Sequence, residues 1–317
     1  MKYYFWPDKS DSPSAVFYIQ MLRNICNILL ISDLDGINSD EKSMLLVHGR
    51  DSHRSDQIKA FMGIKILVEP RVFYFCNYDL YDRCIFNSIE AELSTRGFRS
   101  RTLDFIIFPP FPIIERSRKP NLRFKDVNGL RLTLGYHGNS VHWELFRPKL
   151  NKIIRLLFLS FEEVSIIAVS GSRLVPPVFV GGRGHFEQLS FSKDNLGCLG
   201  VCDVGLVPQF EGEGWFEGLK VADRWWLRFR GLLRIDVNWF KFKAASNLGR
   251  HVVFSSVGVP CVSDPTISAV FAENFFGRVA TGYRDWARQI TDLRLCKFEP
   301  SLHEYYELPK LKRFLGV

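Results

Sequence analysis

The chain has 317 residues, 46% of them hydrophobic and 24% charged, which gives enough length and apolar content for two medium domains and excludes an intrinsically disordered chain. Lys and Arg outnumber Asp and Glu by 42 to 34, and the resulting formal charge of +8 favours polyanions (nucleotide phosphates, nucleic acid or an anionic membrane face) without choosing among them. The greasiest stretch, 153–161 (IIRLLFLSF), is far short of the ~20 apolar residues of a membrane-spanning helix, so any membrane contact is expected to be peripheral.

At the N-terminus, MKYYFWPDKSDSPS has no basic start, apolar core or small-residue cleavage site. No secretory signal is expected, and seven scattered cysteines suit a reduced, cytoplasmic setting. Cys198 and Cys202 form a C-x3-C pair with no second pair at zinc-site spacing, so they are expected to be small buried side chains. The apolar run 28–32 (ILLIS) leads into Asp33-Leu34-Asp35-Gly36, a pattern that delivers two carboxylates to a metal in Mg-dependent dehalogenase-type phosphatases. Such a site needs partners from later strands. Ile37 stands where that family has Thr, and no later run carries paired acids, so Asp33 and Asp35 are expected to shape a turn, with the phosphatase as the lesser alternative.

Short apolar runs recur at 43–49, 65–70, 104–110, 130–138, 164–171, 204–208 and 259–265, and they predict strands buried on both faces, as in parallel sheets. Helix-length segments at 51–63, 82–99, 142–162, 243–257 and 282–294 lie between them, which predicts an α/β fold with right-handed crossovers. The charged stretch 115–129, with Pro and Gly and no apolar period, marks a boundary. The expected division is a domain over 1–126, a second over 127–300, and a tail over 301–317 forming a closing helix that returns to the first domain.

Three pieces of the second half point to chemistry. Residues 132–139 (LTLGYHGN) read as a strand entering a Gly turn, with a helix from Val141 or His142. Gly lets backbone approach a ligand and the N–H groups of a helix start attract phosphate, although an ordinary β-α turn has the same look. Residues 202–208 (CDVGLVP) read as a second strand. In a helix over 243–257, Lys243, Asn247 and Arg250 fall at i, i+4 and i+7 on one face, followed by 257–265 (VGVPCVSDP). Two cations and an amide so placed can clamp a diphosphate, or can be a solvated basic face. Between these pieces, residues 220–243 hold seven Lys or Arg against two Asp, interleaved with three Trp and three Phe. This segment suits an anionic membrane surface through residues 224–243, or a core whose cations snorkel.

The order GYHGN, CDVGLVP, K-x3-N-x2-R, GVPCVSDP over roughly residues 127–295 resembles the C-terminal half of two-Rossmann (GT-B) bacterial glycosyltransferases of surface-polysaccharide and lipopolysaccharide assembly. The resemblance implies two Rossmann-like domains with a cleft between them, and transfer of a sugar from a nucleotide-diphosphate donor to a hydroxyl of a glycan or lipid-linked acceptor. No metal, no cofactor and no nucleic acid is implied; the nucleotide sugar is the substrate. The implied donor contacts are His137, Gly138 and Asn139 on one side and Lys243, Asn247 and Arg250 on the other, with Thr266 and Ser268 at the start of the next helix, while Trp286 packs. The family's E-x7-E pair is missing, with only Glu273 near 264–276. No base is identified for the acceptor hydroxyl. His137 is the candidate in the second half and Asp8, Asp11 and His48 those in the first, and His185, in a Gly-rich stretch, is expected to line the cleft. A non-catalytic nucleotide-sugar or glycan-binding protein of the same fold is the alternative.

Overall fold

The computed structural model describes residues 1–8, 10, 12–37, 39–49, 54–70, 76–95, 103–110, 114, 130–209, 249–296, 298–300 and 308–317. It divides into two compact units, each built on a six-stranded, all-parallel sheet.

The first sheet has the order β2-β1-β3-β4-β5-β6. Its strands are β1 (Lys2–Trp6), β2 (Ile28–Leu30), β3 (Ser43–His48), β4 (Ile64–Val68), β5 (Arg83–Phe86) and β6 (Asp104–Ile107). All six residues of β3 are buried, which is the uniformly greasy pattern of a strand covered on both faces. From β1 the chain steps outward to β2 and then crosses back to β3, so the strand order reverses between β1 and β3. Helix α1 (Pro13–Arg23) starts with Ser12 as its cap, the hydroxyl accepting from the Ala15 N–H at 3.3 Å, and with proline in its first turn. Two further helices are α2 (Ser55–Ala60) and α3 (Ile89–Thr95).

The helix expected over 82–99 is corrected. Arg83–Phe86 is a strand paired to both β4 and β6, and the helix begins only at Ile89, where Ser88 Oγ accepts from the Ala91 N–H. A four-residue run too short for a helical period was absorbed into its helical neighbour. The aromatic run of β1, an interior strand, also went unread as a strand, as did helix α1.

The second sheet has the order β12-β11-β10-β7-β8-β9. It consists of β7 (Arg131–His137), β8 (Glu163–Ser170), β9 (Gly184–Ser190), β10 (Val204–Val207), β11 (Cys261–Ser263) and β12 (Gly277–Val279). Its helices are α4 (Ser140–Leu157), α5 (Lys193–Gly197), α6 (Gly249–Ser256), α7 (Ile267–Phe276) and α8 (Tyr283–Cys296). Strands run outward from β7 through β8 to β9, then restart on the other side of β7 with β10, the doubly wound Rossmann order. Trp143, Phe146, Leu150, Ile153, Ile154 and Leu157 recur at helical spacing and form the buried stripe of α4. Each such side chain contributes about 1.5–3 kcal/mol when fully buried. Trp286 of α8 packs on Phe146 in the same core.

The last helix, α9 (Leu308–Leu315), belongs to the first unit. Leu311 and Leu315 are buried, Tyr3 Oη donates to the Leu315 carbonyl at 3.4 Å, and Arg83 donates to the Phe314 carbonyl. No helix among the described residues is long and apolar enough to cross a membrane. All seven cysteines are free thiols.

Candidate functional site

In the second sheet the order reverses between β7 and β10, and in such sheets ligands sit outside the carboxyl ends of the strands at that point. Gly138 follows β7 with φ +150°, a conformation that favours glycine, and a Cβ there would stand 2.9 Å from Tyr136 Oη. The Tyr136 hydroxyl donates to the Asn139 carbonyl at 2.7 Å and so fixes the turn. Asn139 is the N-cap of α4, its side-chain oxygen accepting from the His142 N–H at 3.1 Å.

Arg250, in the first turn of α6, reaches this turn, with its Cδ 3.8 Å from where a Cβ on Gly138 would be. A pair of glycines aligned in register, Gly135 on β7 and Gly205 on β10, makes room for the Phe254 ring one helical turn after Arg250. A Cβ on either would come within 2.8 Å of that ring, so the sequence lets α6 lie close on the sheet. His137 packs against Phe254, the rings tilted by 56° with 5.3 Å between their centres. Its Nε2 lies 3.3 Å from the Arg250 carbonyl, which can only accept, so that nitrogen carries the proton. Burial pulls the His137 pKa down to about 3, against the Arg250 carbonyl bond that raises it, and the ring is neutral at physiological pH.

The Arg250 side chain is 5% exposed. It donates through Nη1 to the Pro208 carbonyl at 2.8 Å, and through Nη2 to Gln209 Oε1 and His142 Nδ1, both at 3.3 Å. All three acceptors are neutral. Burial lowers its pKa from the ordinary guanidinium value, while Tyr136 and Asp264 act the other way. Asp264, at the end of β11, is committed elsewhere: Oδ1 accepts from Lys149 Nζ at 2.6 Å and from Trp286 Nε1 at 2.9 Å, and Oδ2 from the Gln209 N–H at 3.0 Å. Among the described residues, no carboxylate lies within ion-pair distance of Arg250. A buried cation on neutral acceptors thus stands beside a Gly turn and the N-terminus of an 18-residue helix, whose partial positive charge adds to its own.

No family model matches the chain, and no curated protein matches it in sequence. Solved structures do match in fold. The apo structure of OtsA is 10% identical, with 93% of this chain and 91% of that one aligned at a TM-score of 0.52. The apo form of the lipopolysaccharide outer core galactosyltransferase WaaB is 10% identical over 100% and 98% at 0.51. The structure described as trehalose-6-phosphate from E. coli bound with UDP-2-fluoro glucose is 10% identical over 93% and 91%, also at 0.51. The chain has the GT-B fold.

Within the GT-B framework the sequence-derived residues are placed as follows. His137, Gly138, Asn139 and Arg250 come together at the β7/β10 reversal, although the Asn139 side chain caps its own helix. Thr266 caps α7, its hydroxyl accepting from the Ala269 N–H at 3.0 Å, and Ser268 is buried in the first turn of that helix. Lys243, Asn247 and the whole of 224–243 lie outside the described residues, as does Asp11. Glu273 accepts from the Val279 N–H at 3.0 Å and ties α7 to β12. The Gly-rich stretch that holds His185 is in part a strand: His185 lies on β9, the outermost strand of the sheet, and is exposed. Gln209 and His142 were missed, since neither sits in a spacing that sequence alone flags.

The Asp33 side chain accepts from the Asp35 N–H at 3.1 Å and from Ser32 Oγ, a turn closed by its own carboxylate after the edge strand β2. Among the described residues no three His, Cys, Asp or Glu side chains are grouped to hold a metal. At the reversal point of the first sheet, His48 ends β3 fully buried, with Nε2 3.3 Å from Ser14 Oγ and 3.7 Å from Glu69 Oε2. Asp8 lies against Gly49, and Glu69 is the one non-glycine among the described residues at positive φ, +50°. Glu69 carried no signal in the sequence.

Proposed function

We propose that the protein is a glycosyltransferase that moves a sugar from a nucleoside-diphosphate donor to a hydroxyl of a glycan or lipid-linked acceptor in surface-polysaccharide assembly. The observation that carries this reading is the buried Arg250 guanidinium, held on neutral acceptors beside Gly138 and the start of α4. The UDP-2-fluoro glucose in one solved structure of similar fold supports a nucleotide-sugar ligand.

As the bond from the anomeric carbon to the diphosphate breaks, negative charge builds on the leaving oxygen. A preorganised cation in a water-poor site stabilises that charge without having to reorganise, and the N–H groups opening α4 add to it. Lys243, Asn247, Thr266 and Ser268 complete the donor site in this reading, and His137 is a positioning residue that holds the backbone of Arg250. Protein cations neutralise the leaving group, so transfer is expected to proceed without a metal and to be unchanged by a chelator.

Calorimetric titration of a panel of nucleoside diphosphates tests the donor site. One base should bind clearly, and Arg250→Met, which keeps the volume and removes the charge, should weaken it by about 10- to 100-fold. Equal affinity in wild type and Arg250→Met would defeat the reading. Arg250 also bridges the Pro208 carbonyl and Gln209, so its loss is expected to lower stability by about 1–3 kcal/mol as well. Turnover of the matching nucleotide sugar separates an enzyme from the non-catalytic alternative, which Glu273 favours by serving the backbone.

The segment 224–243 is proposed to rest on the inner face of the membrane, on the strength of its interleaved Trp and Arg. Flotation with vesicles containing anionic lipid, set against neutral vesicles, should show selective binding that salt reverses; equal flotation with both would remove this part.

A further inference from the structure

Gln209 follows Pro208 just past the end of β10 and is 8% exposed. Its backbone N–H is held by Asp264 Oδ2 at 3.0 Å, and its side-chain oxygen accepts from Arg250 Nη2 at 3.3 Å. The orientation of the amide follows from chemistry: with nitrogen and oxygen exchanged, a donor would face the guanidinium, which itself only donates. Nε2 is therefore turned away from Arg250, and among the described residues it is a buried donor with no hydrogen-bond partner. A buried N–H of this kind is destabilising until an acceptor reaches it.

Among the described residues, two unmet demands thus stand side by side, a cation without an anion and a neutral donor without an acceptor. We propose that Gln209 is the neutral half of a two-donor phosphate clasp, in which Arg250 supplies the charge and Gln209 Nε2–H a hydrogen bond to an oxyanion of the same diphosphate. The proposal rests on the glycosyltransferase reading and adds a binding residue to its donor site. A diphosphate oxygen fits because it only accepts, whereas a hydroxyl would bring a donor of its own. The amide is also what keeps the clasp open. Glutamate at 209 would have the same shape, but it would pair with Arg250, cancel its charge and repel phosphate.

That contrast makes Gln209→Glu the deciding variant, with inorganic pyrophosphate as the probe because it is independent of base and sugar. The expected result is a thermal midpoint equal to or above wild type, since Arg250 gains a buried partner, together with at least about a 30-fold loss of pyrophosphate affinity by calorimetry. Gln209→Met, which keeps volume and removes both polar atoms, should lose about 5- to 20-fold and remains informative if the glutamate variant does not fold. Both variants binding within about threefold of wild type while Arg250→Met does not bind would overturn the clasp and leave the donor site standing. Wild type that binds no pyrophosphate would overturn both.

Discussion

Three histidines crowd the Arg250 network, and each is depressed chiefly by burial. His137 and His251 are pulled down to about 3, and His142 is well below the ordinary imidazole range, with Arg250 pushing His142 and His251 further down. Unfolded imidazoles titrate near 6.5. Between pH 6.5 and 3 the unfolded chain therefore binds protons that the folded chain refuses. The stability that His137 and His251 contribute is complete above 6.5 and is lost as pH falls towards 3, and His142 acts in the same direction. His251 is the cleanest probe, because neither ring nitrogen has a hydrogen-bond partner among the described residues and the ring lies near Phe276. His251→Leu should flatten the pH dependence of the unfolding free energy from urea titration between pH 7 and 5, by on the order of 1 kcal/mol per pH unit, and should not lower stability at pH 8. An unchanged slope would mean the ring is protonated, or hydrated, in the folded protein.

At the scale of elements, what could be read from the sequence was what period and punctuation encode. The strands at 43–49, 130–138, 164–171 and 204–208 announced themselves because both faces are buried and the runs are uniformly apolar. The Gly turn after β7 could be placed because Gly138 and Asn139 are, respectively, a left-handed position and a helix cap. β9 could not, since GHFEQLS is half-exposed at an edge and alternates weakly, and Arg83–Phe86 is shorter than a helical period. Within the site, the i, i+4, i+7 spacing drew attention to Arg250 but said nothing of what holds it, and its other two members, Lys243 and Asn247, lie outside the described residues. The partners Pro208, Gln209 and His142 arrive from β10 and α4 at separations of 41 to 108 residues, and such proximity comes from the sheet order alone. The Gly135/Gly205 register that brings α6 down onto the sheet is a cross-strand coincidence, invisible until β7 and β10 are known to pair.

At the scale of the whole molecule, the chain builds the first unit, then the second, and ends with α9 in the first. That return gives the first unit two contributions from opposite ends of the sequence: Tyr3 of β1 meets the Leu315 carbonyl 312 residues away, and Arg83 of β5 meets Phe314. Leu311 and Leu315 are fully buried and lie one helical turn apart, so they anchor α9 as a unit. Leu311→Ala should cost about 2–5 kcal/mol, and the double change with Leu315→Ala should deviate from the sum because the two share neighbours. The loss should be local. Amide exchange in β1, β3 and β5 should accelerate sharply while that of β7, β8 and β10 stays at its wild-type rate, because the second sheet closes its own core around Trp143, Phe146 and Trp286. The pyrophosphate affinity proposed for residues of the second unit should survive Leu311→Ala. If it were lost along with the protection of β1, the donor-binding network would depend on the first unit for its own integrity, and the assignment of that network to the second sheet alone would fail.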